Sequence, residues 1–117
     1  AETYRRLGDF YRSSNQIDEA IRTYEQGVQV APRNIILRSV LGLLYAEQGE
    51  GAKAIEQNLA VLELRPNDVS SLQNLALLYA DQGDTASALR YAQQALALVQ
   101  DDQNRAALEA LIQQLAP

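Results

Sequence analysis

A ten-residue segment that recurs after 34 residues is the feature of this sequence that most restricts its fold. Residues 41–50 read LGLLYAEQGE and residues 75–84 read LALLYADQGD, with seven identical positions and three conservative changes. The same spacing relates three alanines to one another and two prolines to each other, namely Ala20, Ala54, Ala88, Pro32 and Pro66. A period of this length is typical of chains that stack one helical or strand unit on the next, because each unit buries its apolar face only against its neighbours.

Small residues recur at fixed places in each unit and predict a pair of close antiparallel helices. Gly8, Gly42 and Ala76 are expected to face the three recurring alanines, because two helices approach closely only where both side chains are small. Pro32 and Pro66 are expected to stop the second helix of their units, since proline lacks the amide hydrogen that a helix interior requires.

Residues suited to helix ends mark the boundaries of these helices. Asn15, Gly49 and Gly83 are expected to end the first helix of each unit in a left-handed backbone conformation. Asp84 and Asp101 are expected to cap the helices that follow them. The predicted helices are residues 2–14, 18–31, 36–48, 52–64, 70–82, 86–99 and 103–115.

These residues resemble the tetratricopeptide repeat, whose signature the first unit meets almost completely. The matching residues are Tyr4, Leu7, Gly8, Tyr11, Ala20, Tyr24 and Pro32. The resemblance covers residues 1–102, although Arg38 and Asn58 stand where the pattern has aromatic residues. It implies an all-α fold, a right-handed α-solenoid of three helical hairpins and a capping helix, with seven helices. The expected division of the single domain 1–117 is repeat one at 1–34, repeat two at 35–68, repeat three at 69–102 and the capping helix at 103–117.

The two ends of the predicted array differ. Leu108, Leu111, Ile112 and Leu115 form an apolar stripe at helical spacing, which is expected to cover the end of repeat three. Repeat one lacks such a cover, so Phe10 either points towards a missing neighbour or folds back onto its own hairpin. A first residue that is not Met, and a composition biased to Gln, Ala and Leu, lead us to expect a fragment of a larger bacterial protein.

Composition argues against catalysis and against a metal site. The chain has no cysteine and no histidine, so it lacks the thiolate nucleophile, the imidazole base, disulfides and the Cys/His ligands of zinc. Neighbouring carboxylates at positions 47 and 50, and at 81 and 84, flank equivalent turns without the ligand pattern of a calcium loop. We therefore expect a chain that is not an enzyme, with no cofactor and no metal.

Charge and hydropathy restrict the class of partner. The net charge is −5, and the basic residues form no stripe with interleaved aromatic residues, so nucleic acid is not expected. No apolar run reaches the roughly 18 to 20 residues that cross a bilayer, so direct membrane insertion of the chain is not expected. The resemblance implies a protein or peptide as the partner, and the cellular compartment stays open.

The resemblance implies that the first helices of the repeats line a concave groove that binds a peptide or helix of a partner protein. Helical spacing indicates an apolar centre and polar edges for this groove. Its predicted members are Arg5, Asp9, Arg12, Ile36, Ser39, Leu43, Glu47, Ser70, Gln73, Asn74, Leu77 and Asp81.

Several alternatives to this groove hypothesis stay open. Leu43 and Leu77 could pack sideways against neighbouring helices and leave a neutral groove. The basic clamp with which some tetratricopeptide domains grip the acidic C-terminus of heat-shock chaperones is largely absent, because Ser70 and Asn74 replace its basic residues. The array could instead be a structural scaffold that self-associates through repeat one. It could also be the C-terminal accessory domain of a bacterial membrane, secretion or polysaccharide-assembly protein whose catalysis lies elsewhere.

Overall fold

Seven helices make up almost all of the computed structural model, which describes residues 1–116. They are α1 (Glu2–Ser13), α2 (Ile17–Val30), α3 (Ile35–Glu47), α4 (Gly51–Leu64), α5 (Val69–Asp81), α6 (Thr85–Leu98) and α7 (Asp102–Leu115). Each helix begins and ends within one residue of its predicted bound, and no strand occurs within residues 1–116. The predicted all-α fold is confirmed.

Helices that follow one another in the chain pack against one another. The larger interfaces join α1 to α2, α3 to α4 and α5 to α6, and smaller ones join α2 to α3, α4 to α5 and α6 to α7. Because the principal contacts link only neighbours along the chain, the hairpins add along one axis. The result is a helical solenoid measuring 44 × 24 × 23 Å.

Two apolar clusters hold the solenoid together. The first joins the first two hairpins and includes the fully buried side chains of Tyr24, Leu37 and Leu44. The second joins the third hairpin to α7 and includes Leu72 and Leu108. Since Leu108 is buried, α7 covers the end of the third hairpin as its apolar stripe predicted.

Gly8 lets α1 approach the ring of Tyr24 in the first hairpin. A Cβ atom on Gly8 would lie 2.7 Å from Cδ1 of Tyr24, which is far inside van der Waals contact. The atoms nearest to such a Cβ all belong to the Tyr24 ring, so the absence of a side chain on Gly8 makes room for this ring. In the second hairpin Asn58 holds the place of this tyrosine, and its Nδ2 would lie 3.3 Å from a Cβ on Gly42.

The predicted left-handed residues end the first helices. Asn15, Gly49 and Gly83 have φ angles of 61°, 77° and 82°. Glycine adopts this conformation without steric cost, and asparagine adopts it more readily than most other residues. The turn between the two helices of each hairpin is thus determined locally.

Replacing Gly49 with Ala is expected to lower the free energy of unfolding by about 1–2 kcal/mol, because alanine in the left-handed region clashes with its own backbone. The matched variant Gly51→Ala is expected to be neutral or stabilising by up to about 1 kcal/mol, since Gly51 begins α4 and alanine favours helix. A Cβ there would meet only Nε2 of the exposed Gln82, at 3.2 Å. Urea unfolding followed by circular dichroism measures both, and equal losses would contradict this interpretation.

Side-chain caps begin three of the helices. The carboxylates of Asp84 and Asp101 accept backbone N–H bonds at the starts of α6 and α7, as predicted. Hydrogen bonds from the side chain and backbone of Ser87 hold the pKa of Asp84 below its usual value. The Asn34 side chain also accepts from the backbone N–H of Leu37 at the start of α3, a cap that the sequence analysis missed.

Candidate partner-binding face

The first helices of the hairpins and α7 form a row with a depression between each successive pair. The depression between α1 and α3 has a volume of about 560 Å³. The one between α3 and α5 measures about 210 Å³, and the one between α5 and α7 about 240 Å³. We call the surface formed by these three depressions the inner face.

Nine of the twelve predicted groove residues line these depressions. They are Arg5, Asp9, Arg12, Ile36, Leu43, Gln73, Asn74, Leu77 and Asp81.

The other three predicted residues, Ser39, Glu47 and Ser70, are exposed but line none of the three depressions. Ser39 and Ser70 occupy the repeat positions of Gln73 and Ile36. The side chains of Ser39 and Ser70 are shorter than those of Gln73 and Ile36, which do line depressions.

Some of the lining residues that were missed come from outside the first helices. Asn58 of α4 lines the depression between α3 and α5, and Asn104, Ala107 and Leu111 of α7 line the last depression. The replacement of an aromatic residue by Asn58 was the sequence signal for the first of these. The residues of α7 had no such signal, because they lie outside the repeat pattern.

The predicted apolar centre of the inner face is accessible. Ile36 is 58% exposed, Leu43 46% and Leu77 54%. Leu43 and Leu77 line the same depression between α3 and α5, so neither side chain is packed away between helices. Apolar side chains that share an exposed depression are typical of surfaces that bind a partner.

The carboxamides of Asn58 and Asn74 meet in this depression. Nδ2 of Asn58 donates to the backbone oxygen of Ala54 at 2.9 Å. Nδ2 of Asn74 lies 3.4 Å from Oδ1 of Asn58. Asn58 is buried within α4, whereas Asn74 is exposed on α5, so the pair links a buried amide to one that a partner can reach.

Charged and polar groups of α1 interact closely with one another at the first depression. The Arg5 guanidinium forms ion pairs with Glu2 and Asp9, and the hydroxyl of Tyr24 donates to Asp9. Burial and the hydrogen bond to Asp9 raise the pKa of Tyr24 to about 12. The carboxylate of Asp9 is therefore already engaged on two sides.

Asp81 differs from Asp9 in its surroundings. It is exposed in the last turn of α5, and no ion pair within 4.0 Å involves it among residues 1–116.

No group of three or more His, Cys, Asp or Glu residues within residues 1–116 is placed to hold a metal ion. None of the described helices is both long and apolar enough to span a bilayer.

The architecture and the accessible inner face define a helical-repeat solenoid. The chain belongs to the tetratricopeptide repeat family, because residues 33–101 match the family model described as tetratricopeptide repeat. Residues 8–49 match a second model, described as TPR repeat. The resemblance seen in the sequence is thus confirmed.

Known proteins similar to this chain share its repeats over different lengths. BBSome complex member BBS4 of Bos taurus is 39% identical over 54 residues, which are 46% of this chain and 10% of that protein. The crystal structure of MamA superposes with a TM-score of 0.86 at 23% identity, covering 97% of this chain and 61% of that one. This chain thus spans about a tenth of the curated relative and less than two thirds of MamA.

A second similar structure contains a bound peptide. The first TPR of Spaghetti (RPAP3), bound to the HSP90 peptide SRMEEVD, superposes with a TM-score of 0.82 at 19% identity. The match covers 98% of this chain and 92% of that chain. At this identity the similarity shows the shared fold.

Proposed function

We propose that this chain is a non-catalytic module that binds a peptide or helix of a partner protein along its inner face. The supporting observation is the depression between α3 and α5, where the half-exposed Leu43 and Leu77 lie beside the carboxamide of Asn74. Apolar side chains supply the burial that drives association, and a carboxamide pairs with the backbone of a bound segment. The RPAP3 domain of the same fold, which is bound to a peptide, supports this mode of binding.

The size of the inner face favours transient binding. Its three depressions lie along a body 44 Å long, and we expect a segment docked there to bury less than about 1,200 Å² in total. Interfaces of this size are typical of weak signalling or electron-transfer contacts rather than obligate assemblies. The absence of cysteine and histidine from the chain supports a role in binding rather than in acid, base or nucleophilic catalysis.

Replacing both Leu43 and Leu77 with Asp is expected to weaken binding at the inner face by tenfold or more, because two partly buried apolar contacts become desolvated carboxylates (about 1.4 kcal/mol for each factor of ten). Short peptides selected from a random displayed library against the wild-type chain provide the ligands. Their affinities for the wild type and the double variant are then measured by fluorescence anisotropy.

The control for this experiment is Val30→Asp, which introduces a charge at an exposed apolar residue of α2 outside the inner face. Circular dichroism verifies that every variant remains helical. If the selected peptides bind the folded double variant as tightly as the wild type, the inner face is not the binding site.

Self-association is a second candidate function, and the exposed apolar side chains of α1 favour it. Leu7 is 43% exposed and Phe10 is 61% exposed, with the Phe10 ring beside Tyr11 at a centroid distance of 5.8 Å. The ring does not fold back into its own hairpin. At the equivalent positions of the second repeat, Leu41 and Leu44 are buried. The apolar surface of α1 is therefore of the kind that packs against another helical hairpin.

Replacing Phe10 with Glu is expected to abolish self-association through this surface, because a charge in an apolar helix interface remains without a partner. Sedimentation equilibrium over a range of concentrations compares the wild type with this variant and with Val30→Glu. A concentration-dependent dimer that only Phe10→Glu dissociates supports self-association. A wild type that remains monomeric throughout refutes it.

A further inference from the structure

The orientation of the two carboxamides in the depression between α3 and α5 follows from hydrogen-bond chemistry. A backbone carbonyl only accepts, so the atom of Asn58 that contacts the oxygen of Ala54 at 2.9 Å must be its nitrogen. Oδ1 of Asn58 therefore faces Asn74, and Nδ2 of Asn74 must be the atom that donates to it at 3.4 Å. Because Asn58 is buried and bonded, it holds this arrangement.

The remaining polar atoms of the depression are mainly acceptors. With its nitrogen directed to Asn58, Asn74 has its Oδ1 available to a bound segment. The Asp81 carboxylate lines the same depression and also borders the neighbouring hollow beside Gly49 and Gly51. A partner that pairs with these groups must supply hydrogen-bond donors.

The charged residues around the depression favour a partner group that is positively charged. No lysine or arginine lines the depression between α3 and α5 or the one between α5 and α7. Asp81 lies in the last turn of α5, where the helix dipole already places partial negative charge, so a nearby cation is favourable on both counts. Glu47 holds the equivalent place at the end of α3, and the whole chain has a net charge of −5.

We propose that this depression selects a partner segment in which an apolar residue lies next to a lysine or arginine. The apolar side chain packs against Leu43 and Leu77, the cation pairs with Asp81, and a backbone N–H of the segment donates to Oδ1 of Asn74. Asn58 acts as a positioning residue that keeps this oxygen directed to the partner. This selectivity rests on the proposed binding function and is opposite in sign to recognition of an acidic peptide.

The probes for this proposal are two fluorescein-labelled peptides with the same leucine-containing core, flanked in one by lysines and in the other by glutamates. The wild-type chain is expected to bind the lysine-flanked peptide more tightly in fluorescence anisotropy. Asp81→Lys is expected to weaken that binding by about three- to tenfold, since a favourable exposed pair becomes a repulsive one. The same variant is expected to strengthen binding of the glutamate-flanked peptide.

The matched control is Glu63→Lys, which changes the net charge equally at an exposed position of α4 outside the three depressions. It is expected to leave the ratio of the two affinities close to that of the wild type. If Asp81→Lys and Glu63→Lys change the ratio equally, the preference comes from overall charge and the proposed selectivity is wrong.

The double variant Leu43→Asp/Leu77→Asp separates the two proposals. The double variant loses binding if the inner face is the binding site. If it does so while Asp81→Lys has no specific effect, the binding function stands and the selectivity for a basic segment is wrong. Binding that is unaffected by the double variant overturns both. Failure of the lysine-flanked peptide to saturate the wild type at concentrations up to about 1 mM also overturns the selectivity.

Discussion

Replacing Leu44 with Ala is expected to lower the free energy of unfolding by about 2–5 kcal/mol, the usual cost of removing a fully buried leucine side chain. Leu44 lies in the cluster that joins the first two hairpins and is completely shielded from solvent. Its loss leaves a cavity that the surrounding helices fill only in part. Because stability in a solenoid depends on the interfaces between neighbouring units, this change weakens the contact of the first hairpin with the second.

The adjacent Leu43 provides a matched control for this prediction. The same substitution there is expected to cost less than about 1 kcal/mol, because the side chain is already half exposed on the inner face. Urea unfolding followed by circular dichroism measures both variants. Similar losses for the two would contradict the assignment of one leucine to the core and the other to the surface.

Replacing Tyr24 with Ala is expected to cost about 3–5 kcal/mol, in the range found for buried aromatic residues. The ring is fully buried and lies directly against Gly8, which has no side chain to fill its volume. Phe10→Ala removes an aromatic ring of similar size from an exposed site and is expected to change stability by less than about 0.5 kcal/mol. Thermal and urea unfolding at low protein concentration measure the two variants, and a small loss for Tyr24→Ala would refute this packing.

Tyr24→Phe separates the role of the ring from that of the hydroxyl. It keeps the packing against Gly8 and removes only the hydrogen bond to Asp9, so the expected loss is about 1 kcal/mol. Because the pKa of Tyr24 is raised from 10.0 to about 12 in the fold, its neutral hydroxyl contributes stability below pH 10 that is lost as the pH rises towards 12. The variant is therefore expected to lose less stability than the wild type over that interval.

The sequence by itself determined the helices and their order. Turn residues such as Asn15 and Gly49 act through local backbone geometry. Asp84 caps its helix through a hydrogen bond to the backbone of a residue only three positions further along the chain. Local effects of this kind are visible in a single sequence, and the 34-residue period shows that the same hairpin is repeated along the chain. The all-α solenoid followed from these two kinds of signal.

Only the tertiary structure decided which apolar residues are covered and which polar residues meet. Leu43 and Leu44 are the same residue type at adjacent positions, yet one is exposed and one buried, because the second hairpin turns only one of them towards the first. Asn58 and Asn74 belong to different helices and meet only when α4 packs on α5. Helical spacing predicted nine of the residues that line the inner face. The contacts between hairpins that shape this face are specified by no local pattern in the chain.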